Sequence, residues 1–181
     1  MINIDPMYWY WKDELPEDLC NAIIKEGLKI NSSKGSVGEN NGYVVNLSVR
    51  NSNVAFFEAD SWIGSICAYY LKKANDNAWQ FNITGQQNPQ FTIYNSDQFY
   101  DFHSDDTNNK DGMRKLSLII SITDPKYYTG GDFEFFEGTK PDIKSRGSII
   151  VFPSFLQHRV NKVETGTRYS LVNWFTGDKF K

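Results

Sequence analysis

Residues 99–106 read FYDFHSDD, and the reading of these eight residues decides the fold. Rings at Phe99, Tyr100 and Phe102 interleave with polar side chains, the pattern of a short strand. In a strand, residues i and i+2 share a face. His103 and Asp105 therefore project together, while Phe102 and Ser104 face the other way. The chain holds two histidines. The second, His158, stands in FPSFLQHRV (152–160), and Arg168 follows in TRYSLVNW (167–174), both strand-like runs.

Working outward from residue 99, the downstream half breaks into short strands separated by turns such as DPKYYTGG and KSRG. The pattern predicts strands at Phe81–Ile83, Gln90–Tyr94, Phe99–Asp105, Lys115–Ile122, Asp132–Phe136, Ser148–Phe152, Gln157–Val160 and Thr167–Phe175. Short strands in this number suggest a double-sheet jelly roll, a double-stranded β-helix of cupin-like form. Upstream, Met7–Lys12 reads as an aromatic strand. LPEDLCNAIIKEGLKI (15–30) reads as a helix, with Pro16 suited to the first turn and Leu19, Ile23, Ile24 and Leu28 at helical spacing. The polar, glycine-rich stretch Asn31–Gly42 reads as a mobile loop and Tyr43–Val49 as a strand. A second helix begins with Asp60 or Ser61 as N-cap and runs to about Ala74, burying Trp62, Ile63, Ile66, Tyr69 and Tyr70. The expectation is a mainly β protein with N-terminal helices. Its 181 residues form one domain, with helical support over about 13–77 and a jelly-roll core over about 80–177.

Composition narrows the partners. A formal charge of −3 argues against a nucleic-acid partner, which needs a dense basic surface. No apolar stretch approaches the roughly 20 residues that span a bilayer, so no membrane partner is expected. The opening MINIDPMYWYW lacks the basic region of a signal peptide. Cys20 and Cys67 lack CxxC spacing. They read as reduced, inert thiols of a cytoplasmic protein, with a single disulfide as the alternative.

Two imidazoles and one carboxylate, the first pair locked at i and i+2, form a facial triad for a ferrous ion and leave three coordination positions open. Zinc would accept the same three ligands. Arg168 favours iron. A guanidinium on a mostly buried strand is costly unless an anion meets it, and no acidic residue within its strand answers. The distal carboxylate of 2-oxoglutarate would, as a bidentate pair; a surface salt bridge is the alternative. Ser170 shares the arginine's face. Tyr94 is either a second phenolic donor to the co-substrate or a core ring. The rings of Tyr100, Phe102, Phe133, Phe135 and Trp174 read as an apolar pocket lining or as core. Asn31–Gly42 and Asp106–Gly112 are placed to close over a bound peptide.

At QFTIYNSDQFYDFHSDD (90–106), KLSLIISITDPKYYTGGDFEFF (115–136) and GSIIVFPSFLQHRVNKVETGTRYSLVNW (147–174) the chain resembles the prolyl 4-hydroxylase-like branch of 2-oxoglutarate oxygenases, especially the bacterial and phage PKHD-type hydroxylases. The resemblance implies His103, Asp105 and His158 as metal ligands and Arg168 as the 2-oxoglutarate anchor, helped by Tyr94 and Ser170. It implies Tyr100, Arg114 and Trp174 as substrate-lining residues. Ser121 stands where many prolyl hydroxylases carry a tyrosine. The chemistry implied is hydroxylation of a prolyl residue in a peptide or protein with Fe(II), 2-oxoglutarate and O2, releasing succinate and CO2, with ascorbate as reductant. The same chemistry on another side chain or small molecule, or a non-catalytic metal-binding jelly-roll module, are the alternatives.

Overall fold

The computed structural model describes residues 6–39, 42–106, 108–109 and 112–179. Its architecture is mainly β. Two helices pack on one face of a large antiparallel sheet, and a smaller sheet covers part of the other. The large sheet runs in the order Trp9–Trp11, Ile149–Pro153, Gly112–Ser121, Val163–Gly177, Gln90–Asn95, Asn53–Phe56 and Ser33–Lys34. The smaller sheet runs Phe133–Phe135, His158–Val160, Phe99–His103 and Arg50–Asn51. The expected jelly roll is present, with the strand containing His103 and the strand containing His158 adjacent in the smaller sheet.

Alternation along the central strands explains where the core and the cavity lie. Leu116, Leu118, Ile120 and Ile122 point to the helices, with Ile149, Val151, Leu171 and Phe175 beside them. The helices α1 (Glu17–Gly27) and α2 (Trp62–Asn77) complete that core through Cys20, Ile23, Ile63, Cys67 and Leu71. The opposite face of the same strands carries Ile119, Ile150 and Phe152, which pack on Phe133, Phe135 and Ile143. Further along that face stand Ser117, Arg168, Ser170 and Trp174, polar or amphipathic residues that cannot close a dry core. The strands are thus buried on both sides, one side by hydrocarbon and the other around a cavity.

Several expectations need correction. Stretch 31–42 is not simply a loop: Ser33–Lys34 pairs with Asn53–Val54, and Val37–Glu39 pairs with Gly42–Val44. Residues 40 and 41 lie outside the described residues. The strand expected at Tyr43–Val49 is confined to Gly42–Val44, and the chain re-enters the sheets at Arg50–Asn51 and Asn53–Phe56. No strand forms over residues 81–83; the short strand there is Gly85–Gln86. Helix α2 starts as expected, with Ser61 Oγ accepting from the Gly64 N–H at 3.1 Å, but it runs on to Asn77. Its buried face is Ile63, Gly64, Cys67, Leu71 and Ala74, whereas Trp62 and Tyr69 are 46% and 59% exposed. Pro16 is the N-cap of α1. Both cysteines are free and buried; burial pushes the Cys20 thiol up to about 11 and raises that of Cys67 as well. None of the helices among the described residues is long and apolar enough to cross a membrane.

Candidate active site

Sheet register brings the two histidines together. His158 and His103 are direct cross-strand partners in the smaller sheet, and their ring centroids lie 4.3 Å apart. Asp105 falls just past the end of the Phe99–His103 strand rather than on it. Its backbone N–H donates to Ser154 O at 2.8 Å, which turns the carboxylate back toward the histidines. One ligand atom from each of the three residues lies within 4.8 Å of the others. His103 Nε2 is 3.7 Å from Asp105 Oδ1, and His158 Nε2 is 3.6 Å from Oδ2.

The other ring nitrogens decide whether this cluster suits a metal. His103 Nδ1 is 2.8 Å from Asp101 O, and His158 Nδ1 is 2.9 Å from Leu156 O. A carbonyl only accepts, so each Nδ1 carries the proton, and each Nε2 presents a lone pair to the cluster. Such outer contacts fix the tautomer that a metal-ligating histidine needs. Ser117 Oγ donates to Asp105 Oδ2 at 2.7 Å and is itself 3.0 Å from Ser154 Oγ, orienting the carboxylate in the same way. The donor set fits a ferrous ion.

Electrostatics point the same way. Burial, and after it the charge of a protonated His158, push the His103 imidazole down to about 3 against the pull of Asp105. For Asp105 burial works upward, but the imidazoles, Arg114 and Trp174 outweigh it and hold the carboxyl near 2. These two shifts compete, because a neutral His103 lacks the charge that would draw Asp105 down. The direction that stands is an ionised Asp105 beside a neutral His103, the protonation state that binds a cation.

The cluster opens into a cavity of about 870 Å³. Tyr94, Tyr100, Arg114, Arg168, Ser170 and Trp174 all line it, together with the three ligand candidates. Arg168 is only 3% exposed, and its guanidinium donates from Nη1 to Ser170 Oγ at 3.1 Å. Tyr94 is its cross-strand partner, with its ring centroid 5.6 Å from the guanidinium. Among the described residues the arginine ion pairs are those of Arg146 and Arg159, so Arg168 has no carboxylate partner. The alternative of a surface salt bridge is therefore not what the structure holds. Gly131, at φ +64, makes room for this side chain: a Cβ there would meet Arg168 Cδ at 3.0 Å.

On the other side of the cluster, the Tyr100 ring stacks on His103 with centroids 3.5 Å apart. Arg114 lies over the Trp174 ring at 3.8 Å and donates to Gln87 Oε1 from Nε at 3.0 Å and from Nη2 at 2.8 Å. Trp174 Nε1 is buried without a full hydrogen bond, yet its N–H still helps to keep Asp105 ionised. Of the five rings left open between pocket lining and core, Phe133 and Phe135 are core, and Phe102 is half-buried outside the cavity. Phe133 and Phe135 are buried with Phe152 behind His158, and Phe102 packs on Phe136 beneath Arg159. Ser121 is buried opposite Ser170 in the sheet. Ser36 and Gly38 reach the cavity from the first of the two segments expected to flank it, as does Tyr43 just beyond that segment. Of the second, residues 107, 110 and 111 lie outside the described residues. Sequence reasoning missed Arg50, Gln87 and Ser117. For Arg50 a signal existed, an arginine closing the apolar run YVVNLSV.

With fold and site in hand, comparison with known proteins is informative. Residues 89–176 match the family model described as the 2OG-Fe(II) oxygenase superfamily. Over that stretch, which is just under half of its length, the chain is similar to that superfamily. A PKHD-type hydroxylase of Synechococcus sp. (strain CC9311) is 36% identical over 77 residues, covering 41% of this chain and 35% of the relative. Another, from Psychrobacter sp. (strain PRwf-1), is 35% identical over 94 residues, covering 48% and 36%. The matches thus span about a third of the length of those relatives. A solved prolyl-4-hydroxylase of Pseudomonas putida superposes with a TM-score of 0.72 at 20% identity, covering 94% of this chain and 93% of that one. A prolyl hydroxylase from Trichoplax adhaerens, in complex with a hypoxia inducible factor oxygen degradation domain peptide fragment, gives 0.76 at 17% identity over 95% and 84%. At these identities the two structures speak for the fold.

Proposed function

We propose that this protein is an Fe(II)- and 2-oxoglutarate-dependent dioxygenase that hydroxylates a prolyl residue in a peptide or protein. The observation that carries the reading is the shared cavity. A histidine–aspartate–histidine cluster with both Nε2 lone pairs turned inward opens onto the same space as a buried guanidinium that has no carboxylate partner among the described residues. His103, Asp105 and His158 would hold the ferrous ion. Arg168 would pair with the distal carboxylate of 2-oxoglutarate, assisted by Ser170 and the Tyr94 phenol. Bound iron and 2-oxoglutarate supply the activation of dioxygen: one oxygen atom enters a substrate C–H bond, and the other leaves in succinate as CO2 is lost.

This chain's own residues orient and shield. The Nδ1–carbonyl contacts and Ser117 hold the three ligands in place before any metal arrives, so little reorganisation accompanies binding. Tyr100, Arg114 and Trp174 are placed to line the space for substrate. Support for a peptide comes from the Trichoplax structure, whose partner is a peptide fragment.

The test is anaerobic loading with iron, exposure to air with 2-oxoglutarate and proline-containing peptides, and mass spectrometry of the products. Iron-dependent succinate with one oxygen atom gained on a peptide proline is the expected result. Succinate with oxygen gained elsewhere would redirect the substrate assignment. No iron-dependent succinate under any condition would leave a metal-binding module.

A further inference from the structure

Arg168 is one of three guanidinium groups on the cavity; Arg114 has so far only a place in the substrate lining, and Arg50 has none. Arg50 is 7% exposed and faces Tyr100 across the sheet, its guanidinium 4.5 Å from that ring's centroid. Since Tyr100 stacks on His103, Arg50 stands one side chain away from the candidate metal cluster. Its hydrogen bonds go to neutral oxygens, Ser52 Oγ at 2.9 Å and Ser36 O at 3.0 Å. Arg114 likewise donates to a neutral amide, that of Gln87, where a glutamate would have made an ion pair. Among the described residues neither has a carboxylate within ion-pair distance.

Charge balance makes this unusual. Among the described residues the cavity is lined by three arginines and by Asp105 as its one carboxylate. A ferrous ion and 2-oxoglutarate, once bound, cancel each other. Arg168 and Asp105 then offset, and two positive charges remain, Arg50 buried and Arg114 half-buried. Burial lowers the proton affinity of Arg114, Asp105 and the nearby phenols pull it back up, and the charge of Arg50 adds a smaller downward push, a repulsion between the two guanidinium groups. A neutral prolyl residue would leave that repulsion unrelieved. A carboxylate between them would relieve it and gain charge-assisted hydrogen bonds to two planar forks.

We infer that Arg50 and Arg114 form a clamp for a carboxylate carried by the substrate next to the carbon that is oxidised. The inference rests on the oxygenase reading and narrows it from prolyl peptides in general to acidic ones. The carboxylate has two sources: an aspartyl or glutamyl side chain flanking the target proline, or the chain-terminal carboxylate of a peptide that ends in proline. Arg168 is reserved for the co-substrate by its place beside Ser170 and Tyr94.

The experiment is equilibrium binding to protein loaded with Mn(II) and 2-oxoglutarate, which keeps the site filled without turnover. The probes are blocked proline peptides with aspartate on either side of the proline, the matched asparagine peptides, and a peptide with a free carboxyl-terminal proline. An acidic peptide, by one source or the other, binds at least about tenfold tighter than its neutral match. That preference shrinks below about twofold in Arg50→Gln and returns in part in Arg50→Lys. Equal binding of acidic and neutral peptides to the wild-type chain, or binding of neither at millimolar concentration, overturns the clamp whether or not the variants fold. A preference that survives both Arg50→Gln and Arg114→Gln overturns it as well. Failure to take up Mn(II) or 2-oxoglutarate would instead sink the oxygenase reading, while acid selectivity measured on the metal-free chain would still stand for the clamp.

Discussion

Replacing Arg168 by methionine separates a co-substrate anchor from a structural arginine, because the two roles move two observables in opposite directions. The side chain is 3% exposed, and its one recorded hydrogen bond goes to the neutral Ser170 hydroxyl. Among the described residues it is a buried charge without a carboxylate partner. Methionine keeps the stem's packing beside Gly131 and Val163 and removes that charge. The ligand-free fold should therefore gain about 1 kcal/mol or more, as when buried charges are exchanged for apolar side chains. For a chain of this length that is roughly 2–4 °C in Tm. Binding of 2-oxoglutarate should suffer the reverse effect. Its distal carboxylate would enter a buried site with no partner, at a cost of about 3–5 kcal/mol. That corresponds to between two and nearly four orders of magnitude in Kd at about 1.4 kcal/mol per decade. Calorimetric titration of 2-oxoglutarate into Mn(II)-loaded wild type and variant gives the second quantity, and thermal unfolding of the metal-free proteins gives the first. A variant that binds 2-oxoglutarate within threefold of the wild type refutes the anchor. A variant that unfolds several degrees earlier would show Arg168 to be a structural group.

Three other perturbations follow from the same geometry. Ser117→Ala removes the hydroxyl that donates to Asp105 Oδ2 at 2.7 Å, and should weaken metal binding by about 10–100-fold in a direct Mn(II) titration; an unchanged affinity would show that Asp105 is held by its backbone alone. Gly131→Ala forces a side chain onto φ +64 and onto Arg168 Cδ and Val163 Cγ2, each 3.0 Å away. It should cost about 1 kcal/mol or more in urea unfolding and weaken 2-oxoglutarate more than metal, whereas equal loss of both would detach Gly131 from Arg168. His103 is held near 3 in the folded chain but ionises near 6.5 when unfolded, so between these values the unfolded state binds the extra proton. Its contribution to stability is full above about pH 6.5 and is lost as pH falls toward 3. The metal-free wild type should therefore lose on the order of 2 kcal/mol more than His103→Gln between pH 7 and pH 4.5, and parallel losses would contradict a buried, neutral His103.

The candidate site was legible in the sequence to the extent that it follows from strand alternation. His103 and Asp105 could be placed on one face by spacing, and His158 and Arg168 by the strands that carry them. What spacing could not supply was register. The pairing of His158 with His103 and of Arg168 with Tyr94 is a property of the assembled sheets. Short edge strands were lost for the same reason. Ser33–Lys34 and Arg50–Asn51 are two residues each and exist only through their partners, so polarity and glycine content read the first as loop. The misreading of Tyr43–Val49 then hid Arg50, one residue past the run's end. In α2 the rings drew attention away from the packed face. Gly64 lies so close to the preceding turn that a Cβ would stand 2.1 Å from Ala59 O, and the small side chains of that face, not Trp62 and Tyr69, allow the helix to lie on the sheet. Phe133 and Phe135 could be read as pocket lining or as core, and their shared strand face packs into the core behind His158.

The account rests on His103, Asp105 and His158 gripping one metal ion as a unit, and anaerobic titration of Fe(II) into the protein and its single-ligand variants addresses that directly. One ion per chain in the wild type, with affinity lost in both His103→Ala and His158→Ala, is the predicted result. Tight stoichiometric binding that persists when either imidazole is removed would place the ion elsewhere and contradict the site.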